Sequence, residues 1–293
     1  TAVKAMAMTG AESQITATPD PTPLATARRA CVIGAGLGGL ALAIRLQAQG
    51  VATTLIEARE QAGGRAAGFE RAGFTFAGGP QAITDPVGLR ALWDLTGDDI
   101  ARDVTLDPIE PLTRFLWPDG TAFDLTSDAE RLRGEVARLA PADIAGVEDF
   151  LRYTSAVHAE TPQAPRGWRD WRGLARLIRP FARHNGWRSL TGIVARHVEH
   201  PRLREAFDFA PLLRGANPEK VRALDAGLQA DALHTGAWWP QGGMDKLIAA
   251  LFKRFEKLGG KLRLHDPVLH MHTLGDLVSE VETVSGWRER LDV

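Results

Sequence analysis

Cysteine is almost absent from this 293-residue chain: Cys31 is the only one. No intrachain disulfide can form, which suits a reducing compartment. Net charge is lacking as well, with 35 basic residues against 36 acidic ones and a formal charge of −1. That balance removes any global reason to expect nucleic acid and leaves only local basic surface to consider. No apolar run is long and uniform enough for a transmembrane helix; the nearest, 30–44, is broken by glycines. Residues 1–27 carry no h-region of a signal peptide, and their Ala, Thr, Ser and Pro show no apolar period. A flexible tail is expected over 1–28. Metal ligation has little material. His197-x-x-His200 and His270-x-His272 each pair two imidazoles, but neither has a clear set of further ligands, so no metal site is expected. No Ser-His-Asp arrangement sits at a nucleophile elbow.

What is present is enough apolar material for a core, 44% of residues, in a length that makes one large or two ordinary domains. The strongest local signal is Val32-Ile33-Gly34-Ala35-Gly36-Leu37-Gly38-Gly39, followed by an apolar helix to about Gln49, a stop at Gly50 and the strand 51–57 ending in Glu57. Strand, glycine turn, helix, strand and acid make a dinucleotide-binding unit. The glycines allow a tight turn and close approach to a pyrophosphate at the helix N-terminus. Glu57 can accept hydrogen bonds from a ribose. Cys31 falls on the first strand as a small core residue rather than a nucleophile.

A second glycine cluster, Gly63-Gly64-Arg65, and then Gly73-Phe74-Thr75-Phe76-Ala77-Gly78-Gly79-Pro80, suggest backbone lying against a flat ligand; turn chemistry alone is the simpler alternative. Arg65 can meet a phosphate or make a surface ion pair. Asp85-Pro86 predicts a capped helix start. Residues 112–125 predict a hairpin turning at Pro118-Asp119-Gly120. Ser127-x-x-Glu130 reads as a capping box opening a helix to about Leu139, with another helix after Pro141. Trp239-Pro240-Gln241-Gly242-Gly243 precedes an amphipathic helix to about Leu258, the strand 261–264 and a β-meander over 267–290. The expected division is a discontinuous nucleotide domain over 29–85 and 235–293, with a mixed, mainly helical insertion over 86–234.

One stretch of the insertion stands apart. Arg169, Arg172, Arg176, Arg179 and Arg183 share a helical face, while Trp168, Trp171, Leu174, Ala175, Ile178 and Phe181 share the other, with Pro180 interrupting. A basic face beside a Trp-rich apolar face suits an interfacial membrane helix. An amphipathic helix packed on its own domain is the alternative.

Taken in this order, the blocks resemble the bacterial phytoene desaturase family, within the wider group of FAD amine oxidases and desaturases. The resemblance runs over about 29–293. It rests on Val32 to Ala41, on Glu57 with Gly63-Gly64-Arg65, on Gly73-Phe74-Thr75-Phe76, and on Ile83-Thr84-Asp85-Pro86, Asn217-Pro218 and Trp239 to Gly243. It implies a glutathione-reductase-like, Rossmann-type FAD domain with an inserted substrate and membrane domain, and FAD as the cofactor. Gly34, Gly36, Leu37, Gly38 and Gly39 are implied at the pyrophosphate, and Glu57 with Ala58 at the adenosine ribose. Arg59, Gly63, Gly64 and Arg65 are implied along the ribityl-diphosphate side, Gly79 and Pro80 near the flavin ring, and Val268 at the adenine. The implied activity is desaturation of a lipid-soluble polyene such as phytoene, on the inner face of the cell membrane with no nucleic acid involved. A different carotenoid dehydrogenase or isomerase, a flavin amine oxidase and a silent nucleotide-binding fragment stand as alternatives. The family commonly has an acid where this chain has Ala77, so no catalytic base is assigned. Family members run on past this length, which makes a fragment the expectation.

Overall fold

A computed structural model of the chain describes residues 28–160, 178–222, 232–233 and 235–292. The tail expected over 1–28 lies outside these residues except for its last position. So do Trp168, Arg169, Trp171, Arg172 and Arg176 of the Arg/Trp stretch.

Three parallel strands form the sheet that organises the molecule. β1 (Arg29–Ile33) leads through helix α1 (Leu37–Ala48) to β2 (Ala52–Ile56). A strand two hundred residues on, β9 (Lys261–Arg263), lies on the far side of β2. Leu55 stands opposite Val32 on one side and Leu262 on the other. The central position explains why Thr53 to Ile56 are buried without interruption, as parallel strands require. β1 is the edge of this sheet, so Cys31 is only half-buried and Ile33 is 52% exposed. α1 packs its Leu40, Ala43 and Ile44 against Leu247, Leu251 and Phe255 of the helix Met244–Lys257.

Two apolar clusters divide the chain. The first holds the sheet and its two helices, and it also takes in Leu92 and Trp93 of α2 (Pro86–Asp94), Ile100 and Val104. The expected boundary after residue 85 therefore runs through a packed core. Packing places the departure nearer the antiparallel pair β5 (Leu106–Pro108) and β8 (Trp238–Pro240), through which the chain leaves and re-enters. Arg254 fastens α2 to this core from within. At 3% exposure it donates to the carbonyls of Leu92 and Trp93 and pairs with Asp98 at 3.0 Å.

The second cluster unites the hairpin β6 (Thr113–Leu116) and β7 (Ala122–Leu125) with α3 (Ala129–Leu139), α4 (Ile144–Glu160) and the helices Leu190–His197 and Pro201–Phe207. Phe115 faces Phe123 across the hairpin, as the alternation predicts. The start of α3 differs by one residue from the capping-box reading. Asp128 is the N-cap and accepts from the N–H groups of Glu130 and Arg131. Ser127 is instead turned toward Glu110, which accepts from both its N–H and its hydroxyl. Asp143 holds the N–H groups of Glu199 and His200 where the helix Pro201–Phe207 begins. Beyond β9, strands β10 (Val268–Leu274), β11 (Leu277–Thr283) and β12 (Arg288–Arg290) form the antiparallel meander expected there. No helix among the described residues is long and apolar enough to cross a membrane.

Candidate functional site

The glycine turn acts through its backbone. Gly34 has φ +98, open to a residue without a Cβ, and its N–H reaches Ile56 O at 2.7 Å. A Cβ on Gly39 would stand 1.9 Å from Gly34 O, so the helix can approach the strand only here without a side chain. The second loop comes equally close. Gly63 N–H donates to Ala35 O at 2.7 Å, and a Cβ on Gly64 would meet Gly36 Cα at 3.1 Å. The two glycine clusters separated in sequence thus form one backbone surface.

That surface borders a cavity of about 1110 Å³. Gly36, Leu37 and Gly38 line it at the start of α1, Arg59, Gly63, Gly64 and Arg65 along one side, and Gly79 and Pro80 at another. The first turn of α1 has no acid, so its N–H groups and the positive end of its dipole are available to a bound anion. Arg59 and Arg65 add the same sign. A Cβ on Gly79 would lie 2.0 Å from Arg65 O, which leaves the cavity bare backbone at that point. A pyrophosphate and a flat ring fit this set of donors, cations and side-chain-free walls.

Glu57, 8% exposed, ends β2 with its carboxylate doubly held. Oε2 accepts from Ala35 N–H at 2.8 Å and Oε1 from Arg59 N–H at 2.9 Å. The acid braces the glycine turn and keeps further lone pairs for a ribose. Gly34, Gly39, Glu57, Ala58 and Val268 do not line the cavity themselves. Val268 opens β10 two residues after Asp266, whose N–H donates to Glu57 O at 3.1 Å. It is therefore carried near the Glu57 end of the sheet.

Sequence reading misses several wall residues: Gln61, Ala66, Ala67, Gly68, Phe69 and, from the insertion, Leu213. Asp245 is another omission. Its Oδ1 accepts from Gly68 N–H at 2.9 Å and pins that wall to the helix Met244–Lys257. An acid directly after the Gly242-Gly243-Met244 turn was the available signal.

Beyond Pro80 and Leu213 lies a second cavity, of about 430 Å³. Leu112, Leu125, Phe207, Phe209 and Leu233 dominate its walls, and Gln81, Thr84 and Thr113 are the only polar side chains lining it among the described residues. No charged group lines it among the described residues. Its described lining draws on four separate segments, and apart from Pro80 and Thr84 none of it belongs to a recognised block.

The histidine pairs form no site. His197 ends one helix and its Nδ1 lies 3.2 Å from Ile193 O, while His200 precedes the next helix. His270 and His272 stand on β10 with ring centroids 6.1 Å apart, and His272 meets Glu282. No metal-ligand group of three occurs among the described residues. Arg179 is exposed near Ile178 and Phe181, which are 68% and 39% exposed.

Comparison with known proteins agrees with this geometry. The family model described as flavin containing amine oxidoreductase matches residues 37–288. The phytoene desaturase (lycopene-forming) of Paracoccus sp. is 39% identical over 263 residues, 89% of this chain and 52% of that protein. Its counterpart from Pantoea ananas is 38% identical, over 88% and 53%. The chain spans about half the length of the curated relatives it matches. A solved putrescine oxidase variant superposes with a TM-score of 0.62 at 18% identity, covering 90% of this chain and 56% of that one, which is a likeness of fold.

Proposed function

The chain belongs to the flavin containing amine oxidoreductase family, and from that premise we propose that it serves FAD-dependent desaturation of an acyclic carotenoid precursor such as phytoene. One observation carries the reading. The cavity suited to the cofactor shares Pro80 and Leu213 with a neighbouring cavity of about 430 Å³ that is apolar and uncharged among the described residues. A hydrocarbon needs such a lining. A protonated amine would lose its hydration there without gaining a counter-charge, which disfavours an amine substrate. The relatives named phytoene desaturase point the same way.

In this reading β1, α1 and β2 are a Rossmann-type unit. The N–H groups at the start of α1 hold the pyrophosphate with Arg59 and Arg65, Glu57 takes the adenosine ribose, and Gly79 and Pro80 lie beside the flavin ring. FAD, when bound, would accept a hydride from one carbon of a saturated CH–CH pair, while the neighbouring carbon gives up a proton to a base or to solvent. The chain's own residues orient an apolar substrate against it and keep water out. Among the described residues the walls of the apolar cavity contribute no carboxylate, imidazole or amine, and no base is assigned among them.

A lipid-soluble substrate gives the Arg/Trp stretch a purpose. Its described end exposes Ile178, Phe181 and Trp187 beside Arg179, Arg183 and Arg188. We place this surface on the inner face of the cell membrane as a peripheral contact. The purified chain is expected to show a visible flavin band after reconstitution, bleaching on anaerobic addition of phytoene, and to float with liposomes containing anionic lipid. A protein that takes up no flavin, or whose band does not bleach, overturns the desaturase reading for this chain. A protein that stays at the bottom of the gradient overturns the membrane contact alone.

A further inference from the structure

Three cavities meet along the short segment that follows the helix Pro201–Phe207. Leu213 is shared by the cofactor cavity and the apolar cavity. Phe209 is shared by the apolar cavity and a third, outer pocket of about 890 Å³. The outer pocket is lined by Phe115, Trp117, Leu212 and Pro218 together with charged groups, among them Arg204, Glu205 and Asp208. Among the described residues Phe209 is the one common to the linings of the apolar cavity and the outer pocket, and so stands between them.

Phe209 is held as a wall. Its ring meets Phe115 edge-on at 5.3 Å and 86°. Phe115 in turn stacks on Trp117 at 6.2 Å and lies 6.3 Å from Phe123, which is fully buried in the second cluster. Swinging the Phe209 ring aside means breaking an aromatic chain anchored in a core. The volumes show what the partition does. At roughly 30 Å³ per chain carbon, close to one water's share of the liquid, the apolar cavity holds about fourteen carbons. Joined to the outer pocket, it would hold about three times as many.

We propose that Phe209 is a specificity-determining residue that limits how far a linear isoprenoid hydrocarbon runs past the cofactor cavity, and so which of its carbons come to rest there. The proposal rests on the reading of the site as one for an acyclic polyene. Removing the ring joins the two spaces and admits a longer chain; enlarging it leaves the short one in place.

The test uses the whole chain and needs no turnover. Farnesene, squalene and phytoene, with fifteen, thirty and forty carbons, are presented from cyclodextrin, and the hydrocarbon retained after gel filtration is measured by gas chromatography. Burying further carbons raises affinity by at least about tenfold per isoprene unit while room remains. With FAD bound, the native protein should gain little in affinity beyond fifteen carbons. Phe209→Ala should gain at least about tenfold for squalene over the native protein, and Phe209→Trp should not. The same length profile in native and Phe209→Ala protein overturns the proposal. If Phe209→Ala loses its cooperative melt, Phe209→Leu is read in the same way and decides the matter. FAD uptake is measured beside each profile. Retention of no hydrocarbon by any variant removes the polyene reading and the partition with it, whereas retention without a length limit removes the partition alone.

Discussion

Replacing Glu57 by Gln separates two roles that the structure gives to one side chain. The carboxylate is 8% exposed and accepts the N–H of Ala35 at 2.8 Å and of Arg59 at 2.9 Å. An amide offers one oxygen, so one of these N–H groups must face an NH₂ group. A buried donor left unpaired costs about 1–3 kcal/mol. For a chain of this size each kcal/mol moves the melting temperature by about 2–4 °C. The variant without cofactor should thus melt roughly 2–12 °C below the native protein by circular dichroism. If the remaining lone pairs also hold the adenosine ribose, FAD loses a bond to a charged acceptor, about 1.5–3 kcal/mol. That corresponds to a Kd raised about 10- to 100-fold, read by quenching of flavin fluorescence in a titration. The two losses are measured independently. A lowered melting temperature with a Kd within about twofold of native refutes the ribose contact and leaves Glu57 as a brace of the glycine turn.

Arg254→Ala strips a buried cation from the carbonyls of Leu92 and Trp93 and from Asp98, and should cost about 3–5 kcal/mol, seen as a large drop in the thermal midpoint; a drop of only a degree or two refutes its role as the fastener of α2. Burial, with the nearby charge of Glu289, pushes the Cys31 thiol up to about 11. At pH 8 the folded protein should therefore resist iodoacetamide, and denaturant should release one alkylatable thiol by mass spectrometry. Burial lifts the Asp208 carboxyl from 3.8 to about 6. A folded value above the unfolded one penalises the ionised form. The penalty is absent below about pH 4, grows between the two values and is complete above about pH 6. Asp208→Asn should then stabilise the protein at pH 7.5 by at most about 2 kcal/mol, after allowing for screening at a half-exposed site, with the gain vanishing near pH 4. A gain that persists in acid contradicts this.

The parts of the site that sequence reveals are those made by neighbours along the chain. The glycine turn, α1 and β2 work within thirty residues, and each local choice agrees with the next. Asp85 and Pro86 start α2 for the same reason, with Asp85 accepting from Gly88 N–H. Legibility fails where a distant group competes. Ser127 has the right spacing for a capping box, but Glu110, seventeen residues earlier, takes its hydroxyl, and Asp128 caps in its place. Nothing near residue 127 announces that competitor. The boundary expected after residue 85 misses for a related cause. Composition changes there, yet Leu92 and Trp93 are drawn into the first core by Arg254, more than 150 residues away.

The substrate side of the site is the extreme of this principle. The cofactor cavity recruits backbone, and backbone exposure leaves glycines as its mark. The apolar cavity recruits side-chain volume from 80–84, 112–125, 206–213 and 232–237, and volume leaves no mark, because a Phe or Leu that walls a cavity looks like one that fills a core. Ala206 and Phe207 do both: they belong to the second cluster and line the cavity. Selection on what such an enzyme binds would therefore act on residues outside every recognisable motif. Phe209 and Leu213 are of that kind. A change at Phe209 that leaves Gly34 to Gly39, Glu57 and Gly63 to Arg65 untouched should alter the accepted chain length without altering FAD affinity, because the partition and the glycine surface share no residue.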